Sequence, residues 1–176
     1  MDILTALHSR RSVRAYTDEP VSAADIQVML DAAMIAPSAG NARPWQFIVI
    51  DDPTILAVAP SINQYAGMVP KAPVAIAVCA DLSLEKHPGF WVQDCSAAVQ
   101  NLMLAATSLG LGTVWTGIYP EESRVRGFSS LLELPPNVLP LALVAIGRPA
   151  KQPERLSRFE PEKVHYNNYG TPWEND

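Results

Sequence analysis

The amino-acid sequence predicts a single α/β or α+β domain, built as a sandwich around one β-sheet. Segments typical of strands alternate with segments typical of helices along the chain, which is the pattern of such folds. Two runs, 74–79 and 139–146, are apolar at consecutive positions, as in strands buried on both faces. The 176 residues match the length of one domain, and no stretch resembles a linker between two.

The N-terminal third predicts two helices and a strand. Residues 2–9 indicate a short helix. Ser22 is a typical N-cap, and the helix that follows it is expected to end before Pro37, because a residue that precedes proline avoids the α region. Residues 46–50 then predict a strand.

The middle of the chain predicts two further helices around a buried strand. Pro53 suits the first turn of a helix over 53–60, and residues 61–71 indicate a loop or weak helix. The strand 74–79 follows. Residues 91–109 predict the longest helix, which is apolar on nearly every side and is therefore expected to be buried all round.

The last third predicts two strands, a helix and a tail. Residues 113–116 indicate a strand, and Pro120 with two glutamates is expected to open a helix. The strand 139–146 follows the break at Leu134-Pro-Pro. The tail from 149 to 176 is polar but carries several aromatic residues.

Composition excludes several classes of function. The net charge of -5 and the pI of about 5.1 argue against a general nucleic-acid binder. No apolar run reaches the roughly 20 residues that span a bilayer, and the N-terminus lacks the order of a signal peptide, so a cytoplasmic protein is expected.

Cys79 and Cys95 lie in apolar surroundings and are expected to be buried, reduced thiols. The three histidines are far apart, which argues against a metal site.

A cluster of cations near the N-terminus is the first candidate for chemistry. Arg10, Arg11 and Arg14 lie within five residues, with Ser12 between them. Guanidinium groups match phosphate oxygens in two-point geometry, and a serine hydroxyl adds a donor. A phosphate site and a solvated turn paired with the acids at 18 and 19 both remain open on this evidence. A second cationic group near the C-terminus, which more often indicates a solvated tail, comprises Arg148, Lys151, Arg155 and Arg158.

Two further segments are candidates for ligand contact. The loop 36–45 is long for a connection between a helix and a strand, and its small residues would let a ligand approach the backbone. The strand within 112–118 ends in Thr-Gly, and strand ends of α/β sheets are favoured ligand positions.

Together these segments resemble the nitroreductase family. The matching motifs follow the family's order and span roughly residues 3–170. They are Ser9-Arg-Arg-Ser-Val-Arg14, Ala36-Pro-Ser-Ala-x-Asn-x-x-Pro-Trp45, Ala72-Pro-Val-Ala-Ile76, Trp91-Val-Gln-Asp-Cys-Ser-Ala-Ala98, Gly110-Leu-Gly-Thr-Val-Trp-Thr-Gly117, Ile146-Gly-Arg-Pro149 and Arg158-Phe-Glu-Pro-Glu-Lys-Val-His165. The resemblance implies an α+β sandwich whose mainly antiparallel central sheet is flanked by helices. It also implies an intertwined homodimer with FMN at the interface.

The resemblance assigns cofactor-binding roles to fourteen residues. Those expected to hold the phosphate and ribityl chain of FMN are Arg10, Arg11, Ser12, Arg14 and Arg158, with Arg148 as a possible assistant. Those expected to reach the flavin of the partner subunit are Pro37, Ser38, Ala39 and Asn41. Thr116 and Gly117 match a loop whose backbone amides approach the flavin ring, and Asn63 matches a flavin-contacting asparagine more weakly.

Two residues depart from the family's pattern. Arg43 stands where many members have glutamine, so it is expected either to bind the pyrimidine edge of the flavin or to point away. Thr116 stands where several members have glutamate, and little is lost there because the family's contact is made mainly by backbone.

The resemblance implies an oxidoreductase without catalytic side chains. Reducing equivalents pass from NADH or NADPH through FMN to a nitroaromatic or quinone-type acceptor in a ping-pong cycle. Two alternatives remain: a flavin-binding or sensing protein without turnover, and a variant with specialised chemistry such as reduced-flavin cleavage, dehalogenation or azoline oxidation. The 91–109 helix offers more apolar surface than one small sheet can cover, and the arm 150–176 is expected to pack on the partner subunit.

Overall fold

The computed structural model describes residues 1–151 and 157–173. The helices in these ranges, apart from short 3₁₀ turns, are α1 (Ile3–Ser9), α2 (Ala23–Met34), α3 (Pro53–Ile62), α4 (Trp91–Ser108) and α5 (Glu122–Leu131). The strands are β1 (Trp45–Ile50), β2 (Val74–Asp81), β3 (Gly112–Gly117) and β4 (Val138–Gly147). None of the helices in these two ranges has the combination of length and hydropathy needed to cross a bilayer.

The four strands form one sheet in the order β1-β2-β4-β3, and every neighbouring pair is antiparallel. The register places Val74 opposite Ile146 and Ala77 opposite Leu143. Of the two fold classes that the sequence left open, the chain therefore has the α+β one. The expected sandwich with an antiparallel central sheet is confirmed.

Helices cover both faces of the sheet, and strand β2 contributes side chains to the core on each face. Its even-numbered residues Val74, Ile76 and Val78 lie in the core shared with α2 and α4. Its odd-numbered residues Ala75 and Ala77 lie in the core shared with α3 and α5. Because successive side chains of a strand point to opposite faces, a strand buried on both faces is apolar at consecutive positions.

Helix α4 is buried along one face, not all round as its composition suggested. Ala98, Val99 and Leu102 are buried under α2 and the sheet. On another side, Leu104 and Ala105 line an open groove of about 380 Å³ between α1, α2 and α4. The all-round apolar character of α4 therefore exceeds what one copy of the chain covers.

The predicted helix ends agree with the structure, with one exception. Ser22 Oγ accepts a hydrogen bond from the Asp25 backbone N–H over 3.0 Å, which caps α2. Gly110 ends α4 in the left-handed conformation, with φ of 77°. The exception is Pro120, which precedes α5 instead of opening it. The helix begins at Glu122, after Glu121 as its N-cap.

The close packing of α3 on α5 generates a first prediction. A Cβ added to Gly127 would lie 2.5 Å from Ile62 Cγ2, which belongs to a stiff β-branched side chain. Gly127→Ala should gain at most about 1 kcal/mol of helix propensity and lose about 1–3 kcal/mol to overpacking. We expect a lower free energy of unfolding in urea. Gly67→Ala is the control, because nothing lies within 4 Å of a Cβ there. Equal stability of the two variants would contradict the packing argument.

The two cysteines generate a prediction about pH. Both are buried, and burial raises the pKa of each thiol to about 12. Between the usual pKa near 9 and this value, the unfolded chain releases thiol protons that the folded chain keeps. The free energy of unfolding should therefore fall as pH rises through this window. At pH 8 we expect a thiol reagent to modify neither cysteine in the folded protein and both in denaturant. Rapid modification of the folded protein would be inconsistent with this burial.

Candidate functional site

The arginine-rich segment 10–14 lies along the outer edge of strand β3. Ser12 forms a parallel bridge with Thr113, and the Val13 backbone N–H donates to the Thr113 carbonyl over 2.9 Å. Gly112 permits this approach, because a Cβ there would lie 2.7 Å from Val13 Cβ. The segment is therefore fixed by backbone contacts, which leaves its polar side chains available.

Tyr16 ties the next part of the segment to the sheet. It forms an antiparallel bridge with Pro149, just after β4. Its hydroxyl donates to the Val13 carbonyl over 2.7 Å, and its burial raises the pKa of the phenol. The Thr17 backbone N–H donates to the Arg148 carbonyl over 2.9 Å just beyond β4. These contacts hold the arginine segment between the ends of two strands.

Arginines from both ends of the chain meet at one cavity. Arg10, Arg11 and Arg158 line a pocket of about 300 Å³ with Leu7, His8 and Phe159. Arg14 and Ser12 are exposed on the same segment. Within the described ranges, none of these four arginines pairs with a carboxylate. The structure thus favours an anion-binding site over a turn neutralised by neighbouring acids.

Arg148 belongs to a different arrangement. Its Nε lies 2.7 Å from Glu19 Oε1, in an ion pair at the protein surface. Glu19, one of the two acids that could have neutralised the N-terminal arginines, is therefore engaged with Arg148 instead. This pairing argues against the assisting role expected for Arg148 at the phosphate site. Arg155, from the same C-terminal group, lies outside the described residues.

The end of strand β3 presents backbone, as expected. Thr116 is buried, and its hydroxyl donates to the Leu143 carbonyl over 2.7 Å, so this side chain is committed to the sheet. At Gly117 the space where a Cβ would stand is open, with no heavy atom within 4 Å. A ligand can therefore approach the backbone of this strand end closely.

The carbonyl of Gly117 is held by two side chains. Asn63 Nδ2 and Arg124 Nη1 each donate to it over 3.2 Å. Asn63 is buried, and its Oδ1 accepts the Tyr65 backbone N–H over 3.0 Å. Both ends of the Asn63 amide thus serve to position Gly117 and the turn at Tyr65. Direct contact of Asn63 with a flavin remains a prediction.

Arg124 is a neighbour of this strand end that no pattern in the sequence identified. Its guanidinium lies 5.4 Å from the centre of the Tyr65 ring, a cation–π distance. It lies on α5, one element beyond Gly117, and its partners become neighbours only after folding.

The loop after α2 has an unusual backbone. Gly40, Asn41 and Arg43 all have positive φ, of 59°, 53° and 51°. Ser38 Oγ accepts the Arg43 backbone N–H over 2.9 Å, so its hydroxyl braces the loop. The Ala39 backbone N–H donates to Asp94 in the first turn of α4. Pro37, Asn41 and Arg43 are exposed.

The predicted site residues fall at opposite ends of helix α4. The loop contacts the first turn of the helix through Asp94. Arg11 lines a second cavity, of about 160 Å³, with Thr107 and Gly110 at the other end. An 18-residue helix is about 27 Å long. In one copy of the chain, the loop and the arginines therefore lie near opposite ends of this helix.

No group of three or more His, Cys, Asp and Glu side chains is placed to hold a metal ion in the part of the chain that the structure describes. The site residues are instead suited to bind an organic anion. Unpaired guanidiniums match a phosphate, and the open backbone at Gly117 matches a flat group lying close to the strand end.

Comparison with protein families gives a match over most of the chain. The family model named Nitroreductase family matches residues 7–67 and 56–148. A relative from Methanothermobacter thermautotrophicus is 51% identical over 94% of this chain and 86% of its own, and carries the provisional name NADH dehydrogenase/NAD(P)H nitroreductase. The FMN reductase [NAD(P)H] of Bacillus subtilis is 31% identical over 94% of this chain and 73% of its own.

Solved structures share the fold. A protein from Bacteroides thetaiotaomicron, with the same provisional name as the archaeal relative, superposes with a TM-score of 0.91. It is 40% identical over 95% of this chain and 98% of its own. A provisionally named nitroreductase from Desulfovibrio desulfuricans, solved in complex with FMN, superposes with a TM-score of 0.83. It is 32% identical over 96% of this chain and 98% of its own.

Proposed function

The chain belongs to the nitroreductase family of FMN-dependent NAD(P)H oxidoreductases, and we propose that it acts as a homodimer on small nitroaromatic or quinone-type acceptors. In this proposal NADH or NADPH and the acceptor use one site in turn, in a ping-pong cycle. FMN, when bound, supplies the hydride acceptance and the electron transfer that no side chain offers.

One observation carries the proposal: Arg10, Arg11 and Arg158 line one cavity, unpaired within the described residues. The phosphate of FMN has a charge of about -2, which two or three guanidiniums balance in charge-assisted hydrogen bonds. Ser12 and Arg14, exposed beside them, add donors. Because the protein as a whole is acidic, a local cluster of arginines indicates binding of a specific anionic ligand and not of polyanions in general.

Strand β3 indicates how the rest of the cofactor extends from the arginines. The arginine segment is bonded to Thr113, at the start of the strand, and Gly117 ends it. Four residues of strand span about 13 Å. We propose that the flavin ring lies beside Thr116 and Gly117. The space next to Gly117 is open, and Asn63 and Arg124 hold its carbonyl.

The proposal of a second subunit rests on the separation of the loop and the arginines, which lie at opposite ends of α4. We propose that loop residues Pro37, Ser38, Ala39 and Asn41 complete the flavin site of the partner subunit. In this arrangement Arg43, which is exposed, adds positive charge near the pyrimidine edge of the cofactor. That charge would stabilise negative charge at this edge.

Exposed apolar surface supports the dimer. Met1, Ile3 and Ile35 line the groove beside α4, and each is more than 60% exposed. An exposed apolar patch of this kind is typical of a surface that another protein covers. In the C-terminal arm, Tyr166 and Tyr169 are 57% and 93% exposed. We propose that the arm 150–176, of which residues 152–156 and 174–176 lie outside the described residues, packs on the partner subunit as an extension of the single domain. Sedimentation of a monomer at micromolar concentration would overturn the dimer.

The proposed reaction is tested by spectroscopy. Purified protein reconstituted with FMN should show flavin absorbance, bleach on anaerobic addition of NADH or NADPH, and recover colour when a quinone or nitroaromatic is added. Bound flavin that neither nucleotide reduces would favour a flavin-binding protein without turnover. Protein that binds no FMN would overturn the proposal as a whole.

Arg14→Ala tests the phosphate site. Loss of a charge-assisted hydrogen bond, about 1.5–3 kcal/mol, should weaken FMN affinity about 10- to 100-fold. The measurement is the dissociation constant of FMN, from quenching of flavin fluorescence. Arg126→Ala is the matched control, because it removes the same charge from an exposed pair with Glu122 on α5. Full retention of FMN by Arg14→Ala, or equal loss in both variants, would reject the role of Arg14.

A further inference from the structure

Asp94 is a buried carboxylate for which the proposed reaction has no use. It lies in the first turn of α4, between the buried side chains of Trp91 and Cys95, and is only 4% exposed. Its Oδ1 accepts the Ala39 backbone N–H over 2.9 Å, and its Oδ2 is buried without a hydrogen-bond partner in the described part of the chain. Burial of a carboxylate costs free energy, so its presence calls for a compensating role.

The loop that Asp94 contacts is held only in part by its own hydrogen bonds, such as the one from the Arg43 backbone N–H to Ser38 Oγ. Asn41 and Arg43 have left-handed backbones, which cost residues with a Cβ free energy of order 1 kcal/mol or more each. Such conformations persist only when their surroundings impose them. The surroundings of this loop are the short segment between β2 and α4, together with the first turn of α4.

Two side chains from that region clamp consecutive residues of the loop with opposite polarity. Asp94 accepts from the Ala39 N–H, and Lys86 Nζ donates to the Gly40 carbonyl over 2.9 Å. The N-terminal end of the α4 dipole stabilises the carboxylate in this position. Lys86 is exposed, so Asp94 provides the stronger of the two contacts.

We propose that Asp94, assisted by Lys86, is the positioning residue that fixes loop 38–43 in the conformation in which it meets the cofactor of the partner subunit. The inference rests on the proposed function for its ligand, but the clamp itself is a property of the folded chain. Neither side chain touches the cofactor in this proposal. Their effect on FMN is transmitted through the backbone of the loop.

The test compares substitutions that keep or remove the acceptor. Asp94→Ala removes it, and we expect the dissociation constant of FMN to rise about 10- to 100-fold, with a changed visible circular dichroism of the flavin that still binds. Asp94→Asn keeps an oxygen for the Ala39 N–H and should stay within about threefold of the wild type, because the bond itself survives. Lys86→Met, at an exposed position that the fold tolerates, should weaken binding by about two- to fivefold, as expected for an exposed contact.

Val99→Ala separates positioning from general loss of stability. Val99 is fully buried on the same helix, five residues and about 7.5 Å of helix rise beyond Asp94. Its truncation should lower the free energy of unfolding while FMN affinity stays unchanged. The proposal is overturned if Asp94→Ala retains wild-type affinity, if Val99→Ala loses as much, or if Lys86→Met has no effect. The Lys86 variant decides the matter if Asp94→Ala does not fold.

Hydrogen exchange of the loop tests the clamp without FMN. In the cofactor-free protein, a peptide covering residues 36–45 should exchange faster in Asp94→Ala than in the wild type, and Asp94→Asn should restore protection. Unchanged exchange would overturn the clamp even if FMN binds. Wild-type protein that shows the protected loop but binds no FMN would overturn the proposed function and leave the clamp standing.

Discussion

Helix α4 is the constraint on which the rest of the molecule depends. It packs one face against the sheet and α2, in a core where close packing resists any shift along its axis. Its first turn carries Asp94 beneath the loop 38–43, and its last turn, through Thr107, adjoins the cavity of Arg11. The separation of the two segments is therefore set by the length of this helix, and in the proposed dimer a ligand that contacts both is shared between two copies of the chain.

The sequence predicts the central strands well because burial on both faces leaves a direct trace in composition. Strands β2 and β4 are apolar at consecutive positions, and Ser22 and Gly110 mark helix ends by local chemistry. Strand direction has no such trace. Helix α4 connects β2 to β3, which run parallel to each other, but β4 fills the gap between them and makes every pair antiparallel. Because β4 comes last in the chain, its insertion is not visible in any local pattern.

The candidate site likewise has some features that are local in sequence and others that only the fold creates. The spacing of Arg10, Arg11 and Arg14 is local, so the sequence alone offers a phosphate site there, beside the alternative of a solvated turn. Arg148 had equal charge but is neutralised by Glu19, a partner distant in sequence. The roles of Asp94 and Arg124 are not visible in the sequence for the same physical reason, since each acts on a backbone group that only the fold brings near. The sequence shows Asp94 only as a single acid in the apolar stretch of α4, within the motif that spans Trp91–Ala98, and neither feature reveals its partner.

Fixing the loop in advance has a particular value when a site is shared between subunits. A flexible loop that ordered only on meeting the partner's cofactor would lose conformational entropy at that moment, and the affinity for the cofactor would fall accordingly. Asp94 and Lys86 impose the left-handed backbone of Asn41 and Arg43 within one chain, before any second subunit arrives. The unfavourable free energy of that backbone and of one buried carboxylate is thus offset when the chain folds, and it does not weaken the binding of the cofactor. In the proposed dimer, association then has only to bring together two surfaces that are already formed.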